Sequence, residues 1–123
     1  MPSVEQITAT ITEYAHRIST GTSAEIAALY AQDATVEDPV GAEVRVGRQA
    51  IAAFYSGLDG VDVTMELLTL RVSGNTAGFH FRVTTILPDR VITVEPIDVM
   101  TFDEQGQIAS MRAIWNPADV VTG

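Results

Sequence analysis

Asp38 stands in the stretch Thr35-Val36-Glu37-Asp38-Pro39-Val40-Gly41, where one carboxylate is mounted between a β-branched run and a turn. Alternate residues of an extended chain face the same way, so Asp38 shares the side of Val36 and points toward apolar company. Glu37 faces the opposite way and is expected to be dispensable. Pro39 fixes its own φ and biases Asp38 toward an extended backbone, while Gly41 permits a sharp change of direction. Two readings are open at this point. One is an Asp-Pro turn whose carboxylate bonds nearby amides. The other is a carboxylate held rigidly at the mouth of an apolar pocket, competent as a general base.

Asp98 poses a related question. Within Val91 to Phe102 one alternating face is Ile92, Val94, Pro96, Asp98, Met100 and Phe102, and Asp98 is its only ionisable group. The opposite register would turn the apolar members of that face to water, so the pattern favours Asp98 inward. Burial without a cationic partner favours the neutral form, and a neutral carboxylic acid is a hydrogen-bond donor. Pro96 points to an edge or a bulge that re-aims the next side chain. The chain also holds three tyrosines, Tyr14, Tyr30 and Tyr55, each on or beside the inward stripe of a different predicted helix. Such a tyrosine commonly packs with its hydroxyl at the rim. Three phenols converging beneath one sheet could instead share a hydrogen-bond network.

The elements that must position these groups follow from periodicity. Val4, Ile7, Ile11, Ala15 and Ile18 recur at helical intervals, with Tyr14 beside them. Gly21 closes this helix, and Thr22-Ser23-Ala24-Glu25 reads as a capping box opening the next. Its inward face is Ile26, Leu29 and Tyr30, and its end is expected near Asp33. Val44 and Val46 suggest a short extended piece before a third helix carrying Ile51, Phe54, Tyr55 and Leu58. From Val61 the period changes to two. The runs Val63 to Val72, Thr76 to Leu87, Val91 to Phe102 and Gln107 to Trp115 are separated by short turns that suit antiparallel neighbours. The expectation is one α+β domain over residues 1–123, with three N-terminal helices packed on a curved antiparallel sheet to form a cone around an apolar cavity.

Composition narrows the function classes. A chain of 123 residues buries about two thirds of its unfolded surface, enough for one core and one pocket. A formal net charge of -9, from 7 basic and 16 acidic residues, argues against nucleic-acid and anionic-membrane surfaces and against acidic substrates. Cysteine is absent, which removes disulfides, thiolate nucleophiles and thiolate metal sites, and the absence of lysine removes an internal Schiff base. His16 and His80 lack metal-ligand spacing, so no metal or other cofactor is expected. Met1 to Glu5 lacks a basic segment followed by an apolar run, and no stretch is long enough to span a bilayer; the expected location is cytoplasmic.

The segment Asp33-Ala34-Thr35-Val36-Glu37-Asp38-Pro39-Val40-Gly41 occurs together with Tyr14, Ala50-Ile51, Phe54-Tyr55, Pro96-Ile97-Asp98 and Ser110-Met111-Arg112-Ala113. In these residues, over essentially its whole length, the chain resembles the bacterial ketosteroid isomerases, or steroid delta-isomerases, of the nuclear-transport-factor-2-like superfamily. The resemblance implies that Asp38 is the general base, Tyr14 the principal oxyanion donor and Asp98 a second, protonated donor. It also implies that Tyr30 and Tyr55 support Tyr14, and that Phe54, Phe81, Met111 and Trp115 line a steroid cavity. Val36, Leu58, Val83 and Met100 are further expected wall positions. The implied reaction moves a double bond from a 5-ene-3-ketosteroid to the 4-ene-3-ketone through a dienolate. The implied partners are a small apolar ketone and a second copy of the chain, docked through the sheet face that carries His80, Arg82 and Thr84. The alternatives on the same fold are a polyketide-cyclase-like enzyme and a non-catalytic binder of apolar ligands.

Overall fold

A computed structural model describes all of residues 1–123. Helix α1 spans Val4–Thr20 and opens on a capping box, in which the Gln6 amide donates to Ser3 Oγ and the Ser3 amide to Gln6 Oε1. Its buried face is Ile7, Ile11, Tyr14 and Ile18, so Tyr14 lies within the apolar stripe while Val4 is mostly exposed. Helix α2 covers only Ser23–Ala27, opened by the expected Thr22/Glu25 capping box. It ends well short of Asp33. Tyr30–Glu37 is instead strand β1, because the segment finds a partner late in the chain and pairing overrides the helix-compatible composition of Ala27 to Ala31.

Strand β2 (Arg45–Val46) pairs antiparallel with β1, and helix α3 (Arg48–Tyr55) follows from Gly47, whose φ of 91° favours glycine. Then come β3 (Asp62–Ser73), β4 (Thr76–Ile86), β5 (Val91–Val94), β6 (Ile97–Phe102), β7 (Ile108–Ile114) and a short β8 (Val121–Thr122). The sheet runs β2-β1-β7-β6-β4-β5-β8, with β3 on the other edge of β4. It is mixed rather than wholly antiparallel: β1 and β7 run parallel, with Val36 beside Met111 and Glu37 beside Arg112. The expected run from Val91 to Phe102 is broken at Glu95-Pro96, since proline supplies no ladder donor, and its two halves pair with different stretches of β4. β8 carries no sequence signal of its own and closes the edge of β5.

The helices cover the concave face of this sheet. Ile7, Ile11, Ile26 and Ile51 are essentially fully buried against Phe79, Met100, Ile108 and Met111. Each such side chain contributes about 1.5–3 kcal/mol of transfer free energy. Ser19 Oγ accepts the Met65 amide at 2.9 Å and so ties α1 to β3 where the wall of the cavity begins. No helix is long and apolar enough to cross a membrane. Ile11→Ala is expected to cost about 2–5 kcal/mol in denaturant unfolding with an unchanged m value, because the surrounding sheet cannot collapse into the space.

Candidate active site

The helices and the curled sheet enclose an apolar cavity of about 380 Å³, within the ~300–1,000 Å³ of small-molecule sites. Twelve of its sixteen lining residues are hydrophobic, the phenols Tyr14 and Tyr55 and the indole Trp115 among them, and Asp38 and Asp98 add two carboxyls. The polar groups in the lining are thus phenols, carboxyls and one indole N–H, with no cation among them.

Asp38 follows directly on β1 and is placed at the wall by the turn that begins with Pro39; the Asp38–Pro39 peptide is cis. One carboxylate oxygen accepts a 2.7 Å hydrogen bond from Trp115 Nε1, and no arginine pairs with the group. Burial raises its pKa above the ordinary aspartate value, and the Trp115 bond partly offsets that rise. Trp115 was visible in sequence only as an expected wall residue. Its bond to Asp38 arises because β7 leads Trp115 to the position beside β1, a long-range pairing with no local sequence signal.

Asp98 is on β6 between Phe79 of β4 and Ala113 of β7, and it is 1% exposed. Its Oδ1 is buried with no hydrogen-bond partner in the protein. Burial pushes its pKa well up, and the neighbouring Asp38 charge pushes it further the same way. A neutral carboxyl with a free proton, facing an apolar hollow, is a donor that lacks an acceptor. An unmet polar group of this kind costs about 1–3 kcal/mol, which a ligand oxygen can recover.

The three tyrosines converge, although Tyr30 does so from the start of β1 and not from a helix. Tyr14 and Tyr55 hydroxyls lie 2.8 Å apart, and Tyr55 and Tyr30 hydroxyls 2.7 Å. Burial is the leading cause that holds all three well above the ordinary tyrosine pKa, so each is a neutral phenol. In this chain of hydroxyls Tyr14 and Tyr55 reach the cavity and Tyr30 does not. When Tyr55 donates to Tyr14, the Tyr14 proton is left for whatever occupies the cavity.

Among the expected wall residues, Phe54, Leu58, Phe81, Val83 and Trp115 line the cavity. Val36, Met100 and Met111 do not. Met111 is the register partner of both Val36 and Met100, so the three side chains cover one another and are buried in the core. Ile18, Gly57, Val63, Met65, Val94, Pro96 and Ala113 complete the wall. Val63 and Met65 alternate along β3 and so share one face, but which faces meet across the hollow depends on sheet curvature. Phe54 packs edge-on to Tyr55 at 5.1 Å, and the Arg45 guanidinium lies 5.3 Å from the Phe54 ring centre.

A short-helix and curled-sheet cone around an apolar cavity that holds two carboxyls and two phenols is the architecture of a small α+β domain of the SnoaL-like family, to which the chain belongs, the family model matching residues 11–111. Within that class it is 53% identical over 116 residues to a steroid Delta-isomerase of Nocardioides simplex, covering 94% of each chain. The solved structure of SalBIII, an epoxide hydrolase/cyclase-like enzyme described for its role in forming the pyran ring of the polyether salinomycin, superposes with a TM-score of 0.92 at 26% identity, covering both chains completely.

The raised pKa of Asp98 has a stability consequence with a definite sign. Its contribution is complete below the unfolded-state pKa of about 3.9 and is lost as pH rises through the elevated folded-state value. Asp98→Asn keeps a neutral donor and removes that loss. Urea unfolding across this window is expected to show a shallower decline of stability with rising pH in Asp98→Asn than in the unaltered protein. Parallel curves would show that Asp98 is not held neutral.

Proposed function

We propose that the protein is a steroid delta-isomerase, converting a 5-ene-3-ketosteroid to the conjugated 4-ene-3-ketone. The observation that carries this reading is the Asp98 carboxyl, buried with no partner, opening on the same apolar cavity as Tyr14 and Asp38. The relative with 53% identity, a steroid Delta-isomerase, supports the same substrate class.

The chemistry assigns each group a task. Asp38 takes a proton from carbon 4 and returns it to carbon 6 on the same face, so one carboxylate acts first as base and then as acid. Burial raises its basicity, while its single bond to Trp115 holds it without the cation that would quench it. Negative charge accumulates on the carbonyl oxygen of the dienolate. Tyr14 and neutral Asp98 are the donors for that oxygen, and in a water-poor cavity fixed donors act without reorganising. Tyr55 and Tyr30 extend the network behind Tyr14. The apolar wall accepts a fused-ring hydrocarbon, and the chemistry calls for no cofactor. A polyketide-cyclase-like activity or simple ligand binding on the same fold gives the unpartnered Asp98 donor no comparable task.

Mixing the protein with a 5-ene-3-ketosteroid is expected to generate the ultraviolet absorbance of the conjugated enone, abolished in Asp38→Asn. Tyr14→Phe is expected to lower kcat by about a hundred- to a thousandfold while leaving binding of an apolar steroid largely intact. The rate should fall as pH drops through the raised pKa of Asp38, because only the carboxylate is a base. No absorbance change above buffer would remove the isomerase assignment.

The active unit in this proposal is a homodimer joined through the convex face of the sheet. Ile97 and Ile114 are register partners on that face and are 49% and 51% exposed, with Leu68 also open to solvent. Beside them Arg82 bridges Glu66 and Glu95, and His80 meets the same Glu95, a polar border suited to an interface rim. Sedimentation at micromolar concentration is expected to give a dimer; a monomer contradicts the arrangement.

A further inference from the structure

Asp38 has a mounting problem that its own contacts do not solve. Its side chain makes one hydrogen bond, to Trp115, and the turn that follows it has little packing: Val40 is 43% exposed, and a Cβ added at Gly41 would meet nothing within 4 Å. Gly41 also has a φ of 99°, a conformation open to few residues and held here without steric support. A carboxylate that must reach two carbons of one substrate face needs a more rigid base than this turn has by itself.

Glu37 supplies the missing ties. Its Oε2 accepts the Gly41 amide at 2.9 Å, closing the turn across Asp38, and its Oε1 accepts Arg112 Nε at 2.8 Å. Arg112 is the register partner of Glu37 on the parallel strand β7. The next residue of β7, Ala113, takes the Val40 amide at 2.8 Å, and Trp115 of the same segment bonds Asp38. The turn amides of Val40 and Gly41 are thus both anchored, one to β7 directly and one through Glu37. The residue whose outward direction suggests no role sits at the junction of the two segments that bring Asp38 and Trp115 together.

We propose that Glu37, held by Arg112, is a positioning residue that fixes the attitude of the Asp38 carboxylate; this rests on the reading of Asp38 as the proton-transferring base. Glu37 touches no part of the cavity and acts only through the turn. As a surface ion pair the Glu37–Arg112 contact would matter little to stability. As a brace it matters to rate, because a misplacement of about 1 Å in a reacting group can cost on the order of a hundredfold.

The test compares Glu37→Ala, Glu37→Gln and Arg112→Met in the full chain. In Glu37→Ala, kcat per folded molecule is expected to fall about tenfold or more, with KM for the ketosteroid within about twofold of the unaltered protein. Glu37→Gln keeps an oxygen able to accept the Gly41 amide and is expected to recover most of that loss, while Arg112→Met falls between them. A second readout is independent of turnover. The chain contains one tryptophan, so its single indole N–H resonance in a proton–nitrogen NMR spectrum reports the bond to Asp38. That resonance is expected to move toward the position of a free indole in Glu37→Ala and to return in Glu37→Gln. An unmoved resonance with kcat within about twofold overturns the proposal, as does a rise in KM with kcat unchanged. If Glu37→Ala does not fold, Glu37→Gln and Arg112→Met are judged by the same two readouts. If the unaltered protein forms no enone yet the resonance moves as described, the isomerase reading fails and the brace on Asp38 stands.

Discussion

Everything in the cavity depends on keeping two carboxyl groups in apolar surroundings without a cation. A carboxylate loses much hydration on burial, and proteins usually compensate with an arginine or lysine. Here the compensation is divided. Asp38 is only partly withdrawn from water and has a neutral indole N–H as partner, whereas Asp98 is withdrawn almost completely and is held in its neutral form. The Asp38 charge further opposes ionisation of Asp98, as a like charge in the same low-dielectric hollow must. One residue type acquires two different proton affinities because one site is half wet and the other dry.

The fold can be read as the device that maintains that difference. α1 and α3 lay Tyr14 and Tyr55 against the sheet, and their hydroxyls join Tyr30 in a buried chain that costs little because each phenol has a partner. The break at Glu95-Pro96 lets one edge of β4 serve two short strands, and the second of these begins just before Asp98 and points it inward. The parallel pairing of β1 with β7 brings Asp38 to Trp115, and the outward side chains of the same strands, Glu37 and Arg112, join on the opposite surface. Inner and outer contacts thus brace one turn from both sides.

The SnoaL-like family membership and the superposition on SalBIII show how far one cone can be shared by enzymes with different products. What separates such proteins is the small set of polar groups admitted to an otherwise apolar wall. In this chain that set is two carboxyls, two phenols and one indole N–H, with no cation, which suits moving protons and stabilising negative charge on an oxygen.

The sequence by itself determined the helix stripe of α1, the Thr22–Glu25 capping box, the period-two runs of the sheet and the inward direction of Asp98, because these follow from local spacing and the cost of exposing a whole apolar face. It also isolated Asp38 with its proline and glycine. Tertiary structure decided what depends on partners distant in the chain. Tyr30 begins a strand because β7 offers it an edge, Val36, Met100 and Met111 turn into core because adjacent strands stack them together, and Trp115 reaches Asp38 from seventy-seven residues away. Glu37 illustrates the limit most clearly. Its outward phase was legible, but the meaning of facing outward was set by Arg112 and Gly41, and only folding brings all three to one place.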